Sequence, residues 1–259
     1  MANRLNNYWE GARHPWSCVL FVLPLVAIYE AGVVWLGAPA TDGCRNGADV
    51  WLRDALRAVG VGPECGAPGV LLLVLLIWAL WRRRDRPADQ MGVWAGMTAE
   101  SAVHALSLLL LSQGLWQLLQ TADRVLCSHG PRPVGLFWSG PMGAAPEPVV
   151  ERIIAFLGAG IYEETLFRLL LFSGLLALFT LADFSAGWSF ALAGIASALG
   201  FAAAHHLGPN GEPFSAVHFS FRTIAGLYFA TLYRLRGFGV AVGTHALYDV
   251  LVGLLVCTF

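Results

Sequence analysis

Along the chain, apolar runs alternate with short polar or Gly/Pro-rich breaks, giving runs at about 17–36, 67–81, 93–119, 148–182, 188–206, 214–233 and 238–257. About twenty apolar residues in helical form cross the hydrocarbon core of a bilayer, and backbone in lipid must satisfy its own hydrogen bonds. The pattern predicts an all-α, polytopic membrane helix bundle of about seven transmembrane helices (six to eight), forming a single membrane-embedded domain over 1–259. No internal repeat or low-complexity segment interrupts it.

The breaks add detail. Residues 47–59 place Val50, Leu52, Leu56 and Val59 near one helical face and Asp49, Arg53 and Arg57 on another, which predicts an interfacial amphipathic helix. Residues 120–148 are too polar and too broken to span. The run at 148–182 exceeds one span, so it is expected to tilt, or to break near Ser173 and Gly174. A signal peptide is the competing reading of the first run, since Ala38-Pro39-Ala40 resembles a cleavage site. The run's length and its Glu30 favour a span, with Glu30 pairing to another helix. Arg82-Arg83-Arg84-Asp85-Arg86 is the strongest basic cluster and marks a cytoplasmic loop. That puts the N-terminus, Arg234 and Arg236 inside and the 38–66 and 120–148 loops outside. An integral, multi-pass protein of a bacterial inner (cytoplasmic) membrane is the expectation.

Composition agrees: 57% of the 259 residues are hydrophobic and 13% charged, where soluble domains carry roughly 25% charged residues. The mean hydropathy is +0.62. A net charge of −1 and the lack of a basic stripe argue against a nucleic-acid partner and leave the lipid bilayer as the surroundings. Five cysteines show no CxxC pair or zinc spacing. Cys44 and Cys65 flank one loop and are either a disulfide pair or two unrelated thiols.

Candidate chemistry lies where ionisable residues interrupt apolar runs, because each such group is costly in lipid and marks function by default. Glu163, Glu164 and Arg168 sit among Ile, Phe and Leu. Glu164 and Arg168 are i and i+4 and can pair, while Glu163 points about 100° away and stays free for chemistry. The alternative is that both glutamates only bind Arg168. Glu100 and His104 are also i and i+4, and a buried pair that stabilises packing is expected there. His205 ends the fifth run, and His245 and Asp249 share one face of the seventh. Burial disfavours a carboxylate's charged form, which suits it to serve as a general base on water, with an imidazole sharing the proton.

Three motifs in order over about 149–256 resemble the CPBP family of CAAX-protease and bacteriocin-processing membrane proteins, which includes Rce1-like and myxosortase-like proteases. They are Glu-Glu-x-x-x-Arg (Glu163, Glu164, Arg168), Phe-x-x-x-His (Phe201, His205) and His-x-x-x-Asn/Asp (His245, Asp249). The resemblance implies a glutamic-type intramembrane endopeptidase without a metal or cofactor. In it, Glu163 and His205 activate water, His245 and Asp249 stabilise the oxyanion, and Glu164, Arg168 and Phe201 support the site. Its substrate would be a membrane-associated protein or peptide, such as a C-terminal sorting tail or a processed leader. Many members carry Asn at the last position. An ionised Asp249 would repel an oxyanion, so it must be protonated there or orient His245 instead.

Other protease chemistries lack their residues. There is no HExxH and no Gly-x-Ser-Gly; Tyr248-Asp249 lacks a Gly-x-Gly-Asp partner, since Gly237-Phe238-Gly239 leads to Val240. Two alternatives stay open. One is a zinc-dependent membrane hydrolase using the same side chains; the other is a non-catalytic scaffold, chaperone or transporter of the same fold.

Overall fold

The structure, a computed structural model, describes residues 8–37, 45–62, 66–127, 149–208 and 211–256, and among them there are helices and turns but no strand. The helices are α1 (Pro15–Trp35), α2 (Gly47–Ala58), α3 (Gly66–Trp81), α4 (Gln90–Cys127), α5 (Val149–Leu181), α6 (Ala186–Ala204), α7 (Ala216–Arg236) and α8 (Phe238–Val256). Every apolar run becomes a helix. Four of them (α1, α4 over Gln90–Leu115, α5 and α6) are long and apolar enough to cross a membrane, and α3 and α8 are shorter apolar helices. A count of about seven spans therefore goes further than these criteria reach, although the multi-pass helical architecture stands.

Local signals set the helix ends. Pro15 opens α1, where its missing N–H costs nothing, and His14 Nδ1 accepts from the Trp16 N–H at 3.2 Å. Asn46, Ser185 and Ser215 cap α2, α6 and α7 with side-chain oxygens. Gly237 ends α7 at φ +91°, a left-handed conformation that costs glycine nothing and lets the chain turn straight into α8.

α8 is the central helix, in contact with α1, α4, α5 and α7, while α6 packs along α7 and α1 along α3. Tyr29, Met97, Leu108, Tyr162, Phe229 and Phe238 fill the core. Leu73 and Ile77 on α3 and Val103 and Leu110 on α4 stay exposed on the outside of the bundle, as lipid-facing positions should.

Three details differ from the sequence reading. α4 runs on to Cys127, past the expected end near 119. α5 does not break at Ser173 and Gly174: it continues as one helix, with π-helical geometry over Ala159–Glu163 and Thr165–Phe172 before returning to α at Ser173. Inserting residues into the hydrogen-bond ladder bends and widens a helix, and such segments gather at functional sites. The third concerns α2. Its amphipathic pattern is real, but Asp49 and Arg53 of the polar face are within the bundle, beside the partly buried Leu52 and Leu56, while Arg57, Trp51 and Val59 are exposed. The reason is a polar partner waiting inside. Glu30 receives Arg45 at 3.3 Å and Arg53 at 2.9 Å, and Asp49 receives them at 2.8 and 2.6 Å. Burial works against the charge of Arg45, but its bonds to Asp49 and Glu30 outweigh that and raise its pKa. Glu30 thus pairs with another element, as expected. Cys44, Cys65, Cys257 and Ala38-Pro39-Ala40 lie outside the described residues.

Glu100 has the structural part expected of it. It accepts from Arg236 and Tyr8 and lies 3.6 Å from His104, which bonds Tyr228 at 2.7 Å. These contacts tie α4 to α7 and to the N-terminal turn.

Candidate active site

Close helix contact assembles the site. A Cβ on Gly160 would meet the Ala246 backbone nitrogen at 2.7 Å, so only glycine lets α5 lie this tightly against α8. That approach brings Glu163 and Glu164 up to His245. On the other side, a Cβ on Gly226 of α7 would meet Ala198 of α6 at 2.9 Å, which draws in the helix that ends at His205.

Glu164 and Arg168 are both fully buried and lie 3.3 Å apart. Arg168 is stacked over the rings of Phe201, at 4.4 Å, and Phe229, at 5.3 Å, a cation–π arrangement that helps hold a charge away from water. Phe201 also meets His205 and His245 edge-on, with centroids at 5.0 and 6.0 Å. The supporting positions read from the sequence form one packed unit behind the histidines.

The expected Glu164–Arg168 pair is there, and a second bond extends it: His245 Nδ1 lies 2.7 Å from Glu164 Oε1. A carboxylate can only accept, so Nδ1 is the donor and Nε2 faces the other way. The ring is stacked on Phe229 at 4.6 Å, which fixes its plane. Nε2 then lies 3.7 Å from Glu163 Oε2 and 3.5 Å from Asp249 Oδ2. His205 caps α6, and its Nδ1 sits 2.9 Å from the Phe201 carbonyl. Nδ1 must donate there too, leaving Nε2 to face Glu163 Oε2 at 3.9 Å. All four candidate residues, Glu163, His205, His245 and Asp249, line one cavity of about 270 Å³. The separations of 3.5 to 3.9 Å exceed direct hydrogen-bond reach and suit groups that share a water molecule. Among the described residues, no group of three or more His, Cys, Asp or Glu is arranged to hold a metal ion.

Three contributors were not singled out from the sequence. Asn46 Nδ2 donates to Glu163 Oε1 at 3.0 Å. Arg222 and Glu212 line the cavity and form a two-pronged ion pair at 2.9 and 2.7 Å. The Glu212 N–H donates to the His205 carbonyl at 2.9 Å, so this pair clamps the loop that follows His205. Asn46 belongs to a polar loop far away in the chain and interrupts no apolar run; Arg222 does lie within the run at 214–233, but among Ser215, His218, Ser220 and Thr223 its contrast with its neighbours is weak. His206 points away, toward the Glu212 carbonyl at 3.0 Å, and packs with Phe214 and Phe219.

Residues 145–251 match the family model described as type II CAAX prenyl endopeptidase, Rce1-like. That segment holds all three motifs, in agreement with the CPBP resemblance read from them. No curated protein and no solved structure matches the chain.

Proposed function

We propose, from the Rce1-like character of residues 145–251, that the protein is a glutamic-type intramembrane endopeptidase that hydrolyses a membrane-associated protein or peptide. The observation that carries this reading is the convergence of Glu163 Oε2 with the outward-facing Nε2 atoms of His205 and His245 in one cavity. A water held between Glu163 and His205 gives its proton to this pair as its oxygen attacks the peptide carbonyl, and the same proton then passes to the leaving amine. The oxyanion forms on the Asp249 and His245 side. Since His245 Nδ1 already donates to Glu164, a proton on Nε2 makes the ring an imidazolium that donates to the oxyanion and carries compensating charge. Asp249 in its acid form, or Asn in its place, adds a second donor.

Arginine placement supports a sidedness. The cavity and the Arg82–Arg86 cluster lie at opposite ends of the bundle: α5 contributes Ala159 and Glu163 to the cavity, and Phe172 and Ser173 to the end near Arg82 and Arg86. Arg82, Arg83, Arg84 and Arg86 are exposed. At the cavity end, Arg45 and Arg53 are buried against Glu30 and Asp49 and Arg222 is held by Glu212, which leaves Arg57 on α2 as an exposed arginine there against four in the Arg82–Arg86 cluster. By the positive-inside rule, the basic end faces the cytoplasm of a bacterial inner membrane and the cut is made in the outer half. A C-terminal sorting tail presented from that side fits better than a cytoplasmic substrate.

The test is a comparison of membrane proteomes from a deletion strain complemented with wild type or with Glu163→Ala. A membrane protein that is shortened only by wild type is the expected result. Identical processing in both strains would remove the proposal.

A further inference from the structure

We propose that Asn46 is a positioning residue for Glu163, supplied by a part of the chain that lies outside the matched segment 145–251. The proposal rests on the endopeptidase reading above. Asn46 Oδ1 accepts the Ala48 N–H at 2.8 Å, which caps α2. Because a backbone N–H can only donate, this bond fixes which end of the amide is oxygen. Nδ2 is therefore the group 3.0 Å from Glu163 Oε1. One oxygen of the carboxylate is thus occupied, and the other, Oε2, is the one that faces both histidines. The terminal torsion of a glutamate is broad and two-fold, so a fixed donor on one oxygen decides where the reactive oxygen points.

Asn46 is itself held by more than its own bond. Its N–H donates to the Tyr29 hydroxyl at 3.3 Å, and that hydroxyl donates to Asp49 at 3.0 Å. Glu30 and Asp49 tie down Arg45 and Arg53 on either side, and Tyr162, next to Glu163 in sequence, donates to Glu30 at 2.9 Å. Two arginines and two carboxylates balance within the cluster. A charge-balanced polar dock explains why α2 buries Asp49 and Arg53: they hold the Asn46 amide against Glu163.

Two kinds of measurement on the full-length protein test this. In kinetics on a peptide spanning the cleavage site found by the proteome comparison, Asn46→Ala, Asn46→Ser and Asn46→Asp should each lower kcat about 10- to 100-fold, the scale of a slightly misplaced catalytic group. KM should stay within about two-fold, since the Asn46 amide, although it lines the cavity, is already bonded to Glu163 and Ala48. Ser and Asp keep a helix cap, so recovery of kcat by either would show that Asn46 only caps α2 and would overturn the proposal. The second measurement needs no substrate. In a double-mutant cycle on thermal unfolding, Asn46→Ser should lower Tm by a few degrees less in a Glu163→Ala background than in wild type. Additive shifts would mean that the contact is not made. If wild type and Glu163→Ala process the same proteins, the endopeptidase reading fails and takes the catalytic part of this proposal with it, while the cycle still decides whether Asn46 and Glu163 are coupled.

Discussion

His245 is oriented by Glu164: Nδ1 and Oε1 are 2.7 Å apart, on a carboxylate that also faces Arg168 at 3.3 Å. The second glutamate of the motif therefore neutralises a buried arginine and sets the tautomer of a site histidine at once. Removing one partner of a buried ion pair costs about 3–5 kcal/mol. Glu164→Ala is expected to lose most of its folded yield as well as its activity, and Glu164→Gln, which keeps an acceptor for Nδ1–H, to fold better than the alanine variant. Thermal unfolding of both purified variants checks the order; equal Tm values for Glu164→Ala and wild type would contradict it.

Asp249 follows from the same contact. Its two candidate roles were a neutral group beside the oxyanion or a carboxylate orienting His245. Glu164 holds Nδ1, and Asp249 lies on the Nε2 side at 3.5 Å, which favours the oxyanion role. Asn donates there without needing a proton, so Asp249→Asn should retain activity within about ten-fold and extend it toward higher pH. An Asp249→Asn variant that is folded but inactive across pH 6 to 9 would return the residue to an orienting role.

The adjacent histidines separate cleanly. His205 faces Glu163, while His206 bonds the Glu212 carbonyl and packs on Phe214 and Phe219. His205→Ala should lower kcat at least about a hundred-fold, the scale of a lost general acid or base, with Tm little changed. His206→Ala should lower Tm and leave most of the activity. The reverse pattern would mean that α6 carries a different register.

Sidedness can be read by labelling. In a background with the five native cysteines replaced by serine, Leu207→Cys next to His205 and Arg84→Cys in the basic cluster are both exposed positions. A membrane-impermeant maleimide added to intact spheroplasts should label Leu207→Cys and spare Arg84→Cys. The opposite labelling would place the cavity on the cytoplasmic side.

Metal dependence is a separate test. If water is activated by Glu163 and His205 alone, exhaustive treatment with phenanthroline should leave cleavage intact. Loss of activity that zinc restores would move the protein to the metal-dependent class.

The helical bundle and the motif residues were legible in the sequence for one physical reason: ionisable groups stand out against lipid-compatible runs. Glu163, Glu164, Arg168, His205, His245 and Asp249 all carry that contrast, and i, i+4 spacing paired Glu164 with Arg168 correctly. What was not legible lies across helices. The Glu164–His245 bond joins residues on α5 and α8, and no spacing rule reaches that far. The α2 pattern showed that two faces differ but could not show that Asp49 and Arg53 pack inward; that depends on the partner, here Glu30 and Tyr29. The unbroken course of α5 was hidden because Ser173 and Gly174 read as a break, whereas both stay α-helical and the Ser173 hydroxyl bonds back to the Arg168 carbonyl at 3.0 Å.

The central claim is that Glu163 activates water, and Glu163→Gln tests it most directly. This change keeps the side chain's shape and an acceptor for the Asn46 amide while removing the base. The measurement is single-turnover cleavage of the identified substrate by purified wild type and Glu163→Gln in the same lipid, with Tm recorded for both. A rate at least about a hundred-fold lower with Tm nearly unchanged is the expected result. Cleavage by Glu163→Gln at a near-normal rate would contradict the account.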